Sequence, residues 1–136
     1  VTGLTKECIG YENGVLGGVI SALTSFAAPG DAVLLHSPTY IGFTASVENN
    51  GYKIVHSPLV KDENGVWRMD FEDMDAKIKA NHIHVAIFCS PHNPLPCMPP
   101  AKPLTWRAWW VVTILFITPT CGTACVPKAA SRTIMI

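Results

Sequence analysis

Short apolar segments alternate with amphipathic ones through the first ninety residues, and this alternation restricts the folds open to the chain. The segments AVLLHSP (32–38) and HIHVAIFCSP (82–91) are largely apolar and end at proline. Strands buried on both faces of a parallel sheet have this composition. A third strand is predicted over 52–59, and the Asn64-Gly65 pair after it predicts an exposed turn.

Helical spacing marks the segments between these strands. The segment 14–31 has four apolar residues on one helical face: Val15, Val19, Leu23 and Phe26. A second helix is predicted over 39–51. A third is predicted over 70–81, with Asp70 as its N-cap and Asp73 completing an approximate capping box. The apolar face of this third helix contains Phe71, Met74 and Ile78.

Repeated strand–helix–strand units predict an α/β fold with a doubly wound, three-layered α/β/α arrangement. In such folds, ligands bind outside the carboxyl ends of the strands. The residues that follow each predicted strand are therefore the first candidates for a functional site.

Three stretches are candidates on this ground. ENGVLGGV (12–19) places glycines at a helix N-terminus, where backbone amides suit a phosphate group, although a plain tight turn has the same sequence. Tyr40 follows the first strand and could either stack on a flat ligand or pack on the core. Asn93, in the loop CSPHNP (89–94), has an amide that could bind a ligand oxygen, or the loop is an ordinary turn.

Taken in order, these motifs resemble the large domain of fold-type I pyridoxal-phosphate (PLP) enzymes. The resemblance covers about residues 6–94 and is strongest for the aminotransferase-like branch that includes cystathionine β-lyases. It rests on GYENGVLGGVISAL, PGDAVLLHSPTYIGF, NNGYKIVHSPLVKDENGVWRMDFEDMDAKI and HVAIFCSPHNP. The resemblance implies pyridoxal 5'-phosphate as cofactor, a small amino-acid substrate, and a homodimeric parent enzyme.

The resemblance also implies roles for individual residues. Val15, Leu16 and Gly17 match the turn that offers backbone amides to the cofactor phosphate. Tyr40 matches the aromatic residue that stacks on the pyridine ring, and Asn93 matches the asparagine that hydrogen-bonds the phenolic oxygen of that ring. The same positions are selected by the pattern of strands and helices.

The family pattern stops after residue 94. Where the family continues into a glycine-containing turn, this chain reads LPCMPP. No acidic residue follows Asp75, so the aspartate that pairs with the pyridine nitrogen has no counterpart. Lys128, in VPKAASR, lacks the flanking pattern of the lysine that binds the cofactor covalently. We therefore predict no catalytic residue in this chain.

Two parts are predicted along the chain. Residues 1–94 would be a partial PLP-binding large domain, and residues 95–136 an irregular tail that is not family sequence. The tail is rich in proline and tryptophan and contains basic residues but no acidic one. A reading-frame change in the encoding DNA would produce such a break, and a genuine alternative C-terminus is the other explanation.

Two functions from different classes follow. The lineage predicts a PLP-dependent aminotransferase, or a carbon–sulfur lyase that eliminates the β-substituent of a cysteine conjugate such as cystathionine. The sequence does not choose between these two reactions. The alternative is a catalytically inactive, truncated remnant with at most weak cofactor or phosphate binding. The absent lysine and aspartate motifs favour the remnant for the chain as it stands.

Metal and hydrolase sites are weaker alternatives. Five residues offer ligand types for one zinc ion: Cys89, His92, Cys97, Cys121 and Cys125. They contain no C-x-x-C pair, so no metal site is predicted. His82 and His84 would share one strand face, where solvated histidines are commoner than ligands. A Cys89–His92 hydrolase would need an orienting third group that nothing in the sequence indicates.

Composition and charge restrict the class of protein to which the chain can belong. Apolar residues make up 49% of the 136 residues and charged ones 15%, which is typical of a globular chain. A net charge of zero gives no indication of a nucleic-acid partner. The run AWWVVTILFI (108–117) is too short to span a membrane. An odd number of cysteines and the absence of an export signal predict a cytoplasmic protein.

Overall fold

The computed structural model describes residues 5–8, 10–90, 92–95, 111–116 and 133–135. Its helices are a short 3-10 turn (Lys6–Cys8), α1 (Gly14–Phe26), α2 (Ile41–Asn49) and α3 (Phe71–Ala80). Its strands are β1 (Ala32–Ser37), β2 (Lys53–Lys61), β3 (Trp67–Met69), β4 (Val85–Ser90), β5 (Val111–Phe116) and β6 (Thr133–Met135).

One six-stranded sheet has the order β3-β2-β1-β4-β5-β6. β1 is central and pairs in parallel with β2 on one side and β4 on the other. Leu34 of β1 is in register with Val55 of β2 and with Ala86 of β4. The outer strands β3, β5 and β6 each run antiparallel to the preceding strand. The sheet is therefore parallel at its centre and antiparallel towards both edges.

The chain winds in two directions from β1. It leaves β1 through α2 to reach β2 on one side, and returns through β3 and α3 to reach β4 on the other. α1 and α2 cover one face of the sheet, and α3 covers the opposite face. This confirms the predicted doubly wound α/β arrangement.

The core follows from strand alternation, because successive side chains point to opposite faces. On the face of α1 and α2, the buried cluster contains Val19, Ala22, Leu23, Val33, Leu35, Phe43, Val47, Tyr52, Val85 and Ile87. On the α3 face, it contains Leu34, Met74, Ile83 and Ala86. Both faces of β1 are thus buried, which explains its continuously apolar sequence.

Apolar residues in the end turns of the helices are more exposed than the predicted apolar faces imply. Val15 and Phe26 have the predicted helical spacing, yet they are 46% and 39% exposed. They lie in the first and last turns of α1, whereas Val19 and Leu23 lie in the middle turns and are fully buried. Phe71, in the first turn of α3, is also 39% exposed. Helical spacing identified the correct face of α1 and of α3 but not how far the sheet covers each face.

The start of α3 has the predicted N-cap. The Asp70 carboxylate accepts a hydrogen bond from the Asp73 amide at 3.0 Å. The capping box itself is not formed, because the Asp73 carboxylate accepts hydrogen bonds from Ser57 Oγ at 2.7 Å and Lys77 Nζ at 2.8 Å instead. Asp73 therefore joins α3 to the buried Ser57 of β2. The hydroxyl and ammonium donors hold the pKa of the Asp73 carboxyl below its usual value, with Lys77 contributing most.

Several strand boundaries differ from the sequence prediction. β4 begins at Val85, so His82 and His84 precede the strand instead of sharing one of its faces. His82 lies in a turn with φ +51°, and His84 Nε2 lies 3.6 Å from the Asp31 carboxylate. β5 and β6 lie within residues 95–136, for which an irregular tail was predicted, and both pair in the main sheet. Within the described ranges, no helix is long and apolar enough to cross a membrane.

A buried histidine lies at the carboxyl end of β1, on the α3 face. His36 is 2% exposed, and its ring lies 5.3 Å from that of Phe88 and 6.3 Å from that of His92. Neither of its ring nitrogens has a hydrogen-bond partner among the described residues. Burial lowers the pKa of His36, the nearby Ser57 backbone partly opposes this shift, and a positive charge on His92 would lower the pKa further.

We expect Asp70→Ala to lower the free energy of unfolding by about 1 kcal/mol, because the Asp73 amide loses its acceptor. Asp70→Asn is the matched control, since asparagine caps helices about as well as aspartate. Urea unfolding followed by circular dichroism would measure both. Equal losses in the two variants would contradict a capping role for Asp70.

We expect the stability of the chain to fall as the pH is lowered below about 6.5, because the unfolded chain protonates its histidines there while folded His36 resists protonation. His36→Phe should remove this component, so that its urea midpoint changes less between pH 7.5 and 5.5. His56→Phe, at an exposed position of β2, is the matched control for replacing a histidine by phenylalanine. An unchanged pH dependence in His36→Phe would contradict the assignment to His36.

Candidate functional site

The carboxyl ends of β1 and β4 form the point at which the strand order reverses. From β1 the chain continues through α2 to β2, whereas β4 lies on the other side of β1. The loop after β1 and the loop after β4 therefore lead away from each other at this edge of the sheet. Ligands of doubly wound folds bind in this crevice. Tyr40 follows β1 by three residues and Asn93 follows β4 by three, so both lie in the loops that border it.

The N-terminus of α1 lies at the same edge of the sheet. A tight turn reverses the chain between α1 and β1, with the Asp31 amide bonded to the Ala28 carbonyl at 3.0 Å. The helix of thirteen residues and the strand of six residues each span about 20 Å, so the first turn of α1 reaches the carboxyl end of β1. Leu16 of this turn and Cys89 of β4 pack on the same core cluster.

The first turn of α1 leaves backbone donors available. Counted from the N-cap Asn13, the helical ladder does not use the amides of Gly14, Val15 and Leu16. Gly14 donates to the Glu12 carbonyl at 2.9 Å, and the Asn13 side chain caps no amide. Val15 and Leu16 therefore carry the amides without an acceptor among the described residues.

Glycine has two different roles in this turn. Gly14 has φ +77°, a left-handed conformation that strains residues with a side chain, so it sets the entry into the helix. Gly17 is one position beyond the free amides, and a Cβ built there would come no closer than 3.8 Å to any described side chain. Packing among the described residues therefore does not require glycine at position 17.

Tyr40 lies at the entrance to the crevice as the N-cap residue of α2. It is 41% exposed, and its ring meets that of Phe43 edge to face at 5.6 Å. The ring also covers Gly42, because a Cβ at that position would lie 2.9 Å from Tyr40 Cζ and closer still to Cε1. Gly42 thus gives room for the tyrosine ring, a role that the sequence prediction missed. The motif TYIGF was the available signal.

Asn93 is half-buried and is held from two sides. A hydrogen bond involving its backbone reaches Cys89, at the end of β4. The neighbouring His92 is 8% exposed, and its Nε2 lies 2.8 Å from the carbonyl oxygen of Pro38 in the loop after β1. His92 therefore joins the two loops that border the crevice. The peptide bonds Ser37-Pro38 and Asn93-Pro94 in these loops are both cis.

The geometry gives no support to the Cys89–His92 hydrolase. Burial raises the pKa of the Cys89 thiol, so the nucleophilic thiolate is disfavoured at neutral pH. His92 Nε2 lies 2.8 Å from the Pro38 carbonyl oxygen and Nδ1 has no hydrogen-bond partner among the described residues, so neither ring nitrogen is hydrogen-bonded to the thiol. Among the described residues, no three histidine, cysteine or acidic side chains are grouped closely enough to hold a metal ion. Cys97, Cys121, Cys125 and Lys128 lie outside the described residues.

A depression of about 630 Å³ lies at the opposite, amino-terminal edge of the sheet. It is lined by the starts of β1 and β2, including Asp31 and Lys53, and by the turn containing Asn81 and His82. The depression is open to solvent, and neither the first turn of α1 nor the loops of the reversal point reach it. Its volume is therefore a weaker guide to function than the loops at the carboxyl edge.

Known proteins match about two thirds of this chain or more. Residues 4–105 match the sequence profile of class I and II aminotransferases. Cystathionine β-lyase PatB of Bacillus subtilis is 38% identical over 67% of this chain and 23% of its own length. Histidinol-phosphate aminotransferase of Desulfitobacterium hafniense is 30% identical over 68% of this chain and 26% of its own length. The chain thus spans about a quarter of the length of these relatives.

A solved structure agrees in fold as well as in sequence. The PLP-bound carbon–sulfur lyase of Staphylococcus hominis superposes with a TM-score of 0.62 and 28% identity, over 68% of this chain and 24% of that chain. The profile match, residues 4–105, includes the strands and helices that build the carboxyl edge described above. On these grounds, the chain belongs to the class I and II aminotransferase family.

Proposed function

We propose that this chain supplies part of a pyridoxal 5'-phosphate site, in an enzyme that acts on amino acids. The observation that carries the proposal is the meeting of three features at the β1–β4 reversal point: free amides at the start of α1, the exposed ring of Tyr40, and the side chain of Asn93. The PLP-bound state of the related Staphylococcus hominis lyase supports the same cofactor.

The first turn of α1 fits a phosphate group. Val15 and Leu16 offer amides at the positive end of a helix, the preferred environment of a phosphate. Gly17 would contribute by lacking a side chain, so that the phosphate can approach the turn closely. The Glu12 carboxylate reaches within 4.0 Å of a Cβ built on Gly17, so an anion of the chain itself already approaches this turn. A bound phosphate would displace it.

The loops after β1 and β4 fit the cofactor ring. Tyr40 presents an exposed aromatic face that can stack on a pyridine ring, with Phe43 behind it and Gly42 giving it room. The Asn93 amide can donate a hydrogen bond to the oxygen substituent of that ring. His92 and Cys89 hold the loop of Asn93 in place. All five proposed residues, Val15, Leu16, Gly17, Tyr40 and Asn93, therefore bind or orient the cofactor and do not react.

When bound, the cofactor supplies an aldehyde that takes the substrate amine and a ring that accepts electrons from the substrate Cα. The residues of this chain would bind and orient the cofactor. Tyr40 orients the ring plane, Asn93 sets its rotation, and the α1 amides anchor the phosphate. The residues that would move protons at the substrate are not among those described.

For the complete enzyme, we propose carbon–sulfur β-elimination in preference to transamination. PatB, at 38% identity, is a cystathionine β-lyase by name, whereas the curated relatives named as aminotransferases are 28–33% identical. We also propose that the complete enzyme forms a homodimer. Tyr11 and Ile41, 98% and 73% exposed beside the site, provide apolar surface for further chain to cover.

We propose that the family sequence ends after residue 94 and that residues 95–136 arise from a change of reading frame. The composition break after residue 94 supports it, and the family profile itself extends to residue 105. Sequencing the encoding DNA from codon 88 tests it. A second frame that encodes a glycine-containing turn, a later aspartate and a Ser-Lys motif would support the proposal, and no such frame would contradict it.

We expect Tyr40→Ala to weaken binding of pyridoxine 5'-phosphate about 2- to 12-fold, because stacking contributes about 0.5–1.5 kcal/mol. This ligand has the ring and phosphate of the cofactor but no aldehyde, so it cannot react with lysines. Tyr40→Phe is the matched control and should keep the wild-type affinity. Equilibrium dialysis measures all three proteins. Equal affinities in wild type and Tyr40→Ala would contradict the stacking role.

Glu12→Gln should strengthen binding of inorganic phosphate and of pyridoxine 5'-phosphate about 2- to 5-fold, because it removes the carboxylate that approaches the same helix terminus. Glu48→Gln, at the far end of α2, is the charge-matched control and should have no effect. Dialysis at low ionic strength would show the change. An unchanged affinity in Glu12→Gln would place the phosphate elsewhere.

A further inference from the structure

We infer that His92 is a positioning residue that holds the loop of Asn93 against the loop of Tyr40, so that the two ring contacts are set as one unit. The inference rests on the proposed function and adds to it a residue that touches neither phosphate nor ring in that proposal. It concerns how the crevice keeps its shape before a ligand arrives.

The contact spans the reversal point directly. His92 Nε2 donates to the Pro38 carbonyl at 2.8 Å, joining residues 54 positions apart in the chain. Pro38 is two residues before Tyr40, and His92 is adjacent to Asn93. Within the described part of the chain, this side-chain hydrogen bond joins the loop after β1 to the loop after β4. A shift of either loop would therefore be transmitted to the other.

The surroundings make this hydrogen bond worth more than a surface contact. His92 is 8% exposed, so water competes poorly for its Nε2. A carbonyl oxygen only accepts, so Nε2 must carry the proton. The other nitrogen, Nδ1, is buried without a partner among the described residues. Breaking the bond to Pro38 would thus leave the whole imidazole unsatisfied in the protein interior.

The imidazole is also fixed by packing. Its ring meets that of His36 edge to face, with centroids 6.3 Å apart. His36 is itself 2% exposed and lies against Phe88. On the other side of the loop, the Asn93 backbone lies within hydrogen-bonding reach of the Cys89 thiol and lowers its pKa, against the larger effect of burial. Asn93 therefore lies between two attachments, one to its own strand β4 and one to the loop after β1.

The test compares three variants in the intact 136-residue chain. His92→Leu removes the donor and keeps an apolar side chain. His92→Gln places an amide N–H near the position of Nε2 and should restore the contact. His56→Leu replaces an exposed histidine of β2 as a control. Amide hydrogen exchange, resolved by NMR, is measured in the free chain at Tyr40, Ile41, Asn93 and Leu95.

We expect His92→Leu to speed exchange about 2- to 12-fold in both loops, as the loss of one hydrogen bond predicts. His92→Gln should return exchange in both loops towards wild type, and His56→Leu should leave it unchanged. Faster exchange only at Asn93 and Leu95 would overturn the inference, because His92 would then order its own loop alone. This result does not depend on any ligand.

The tautomer of His92 and the ligand affinity of the variants provide two further tests. Nitrogen NMR of the wild-type imidazole should show a proton on Nε2 of His92, and a proton on Nδ1 alone would overturn the contact even if a variant fails to fold. The affinity for pyridoxine 5'-phosphate should fall in His92→Leu and recover in His92→Gln. Coupled loops with unchanged affinity would overturn the positioning role. If the wild type itself binds no ligand, the proposed function fails, while the exchange data still report on the loop contact.

Discussion

The pairing of β1 with a parallel strand on each side is the constraint on which the rest of the structure depends. β1 gives its backbone groups to β2 and β4, and its side chains Val33, Leu34 and Leu35 are buried on both faces. Because the chain leaves β1 towards one neighbour and reaches the other only after α3, the loops at the carboxyl end must diverge. The crevice between them is a consequence of strand order and needs no dedicated element.

Polar groups collect where this parallel core ends. The side chains deeper in β1 are apolar, whereas His36 is buried at its carboxyl end beside His92 and without a hydrogen-bond partner among the described residues. Burying an imidazole nitrogen without a hydrogen bond lowers stability, and the unpartnered buried side-chain atoms found among the described residues, those of His36 and His92, lie at the edge that carries Tyr40 and Asn93. On the α3 face, Asp73 provides the opposite case, since Ser57 and Lys77 satisfy its carboxylate.

Much of the fold could be predicted from the sequence because its signals are local. Apolar runs ended by proline indicated β1 and β4, and Asp70 was recognisable as a cap from its position before α3. The exposure of Val15 and Phe26 could not be read from helical spacing, since it depends on how far the sheet extends beneath α1. Strand order was also inaccessible, because pairing of β1 with β4 joins segments about fifty residues apart.

Some residues of the candidate site could likewise be identified from the sequence, and others could not. Tyr40, Asn93 and the turn of Val15 were identified because each follows a strand or begins a helix, and their roles remain predictions. Gly42 and His92 were missed as parts of this arrangement, because their importance lies in contacts: a ring above a missing Cβ, and a hydrogen bond to Pro38. Such roles belong to pairs of residues, and a single sequence does not display the pairing.

The central claim is that a cofactor of the PLP class binds at the β1–β4 reversal point. Titration of the isotope-labelled chain with pyridoxine 5'-phosphate, followed by amide NMR, tests it most directly. The account predicts saturable shifts concentrated at Val15, Leu16, Tyr40 and Asn93, with inorganic phosphate shifting only the first two. Shifts centred on the opposite edge, around Lys53 and His82, or no saturable shift at all, would contradict it.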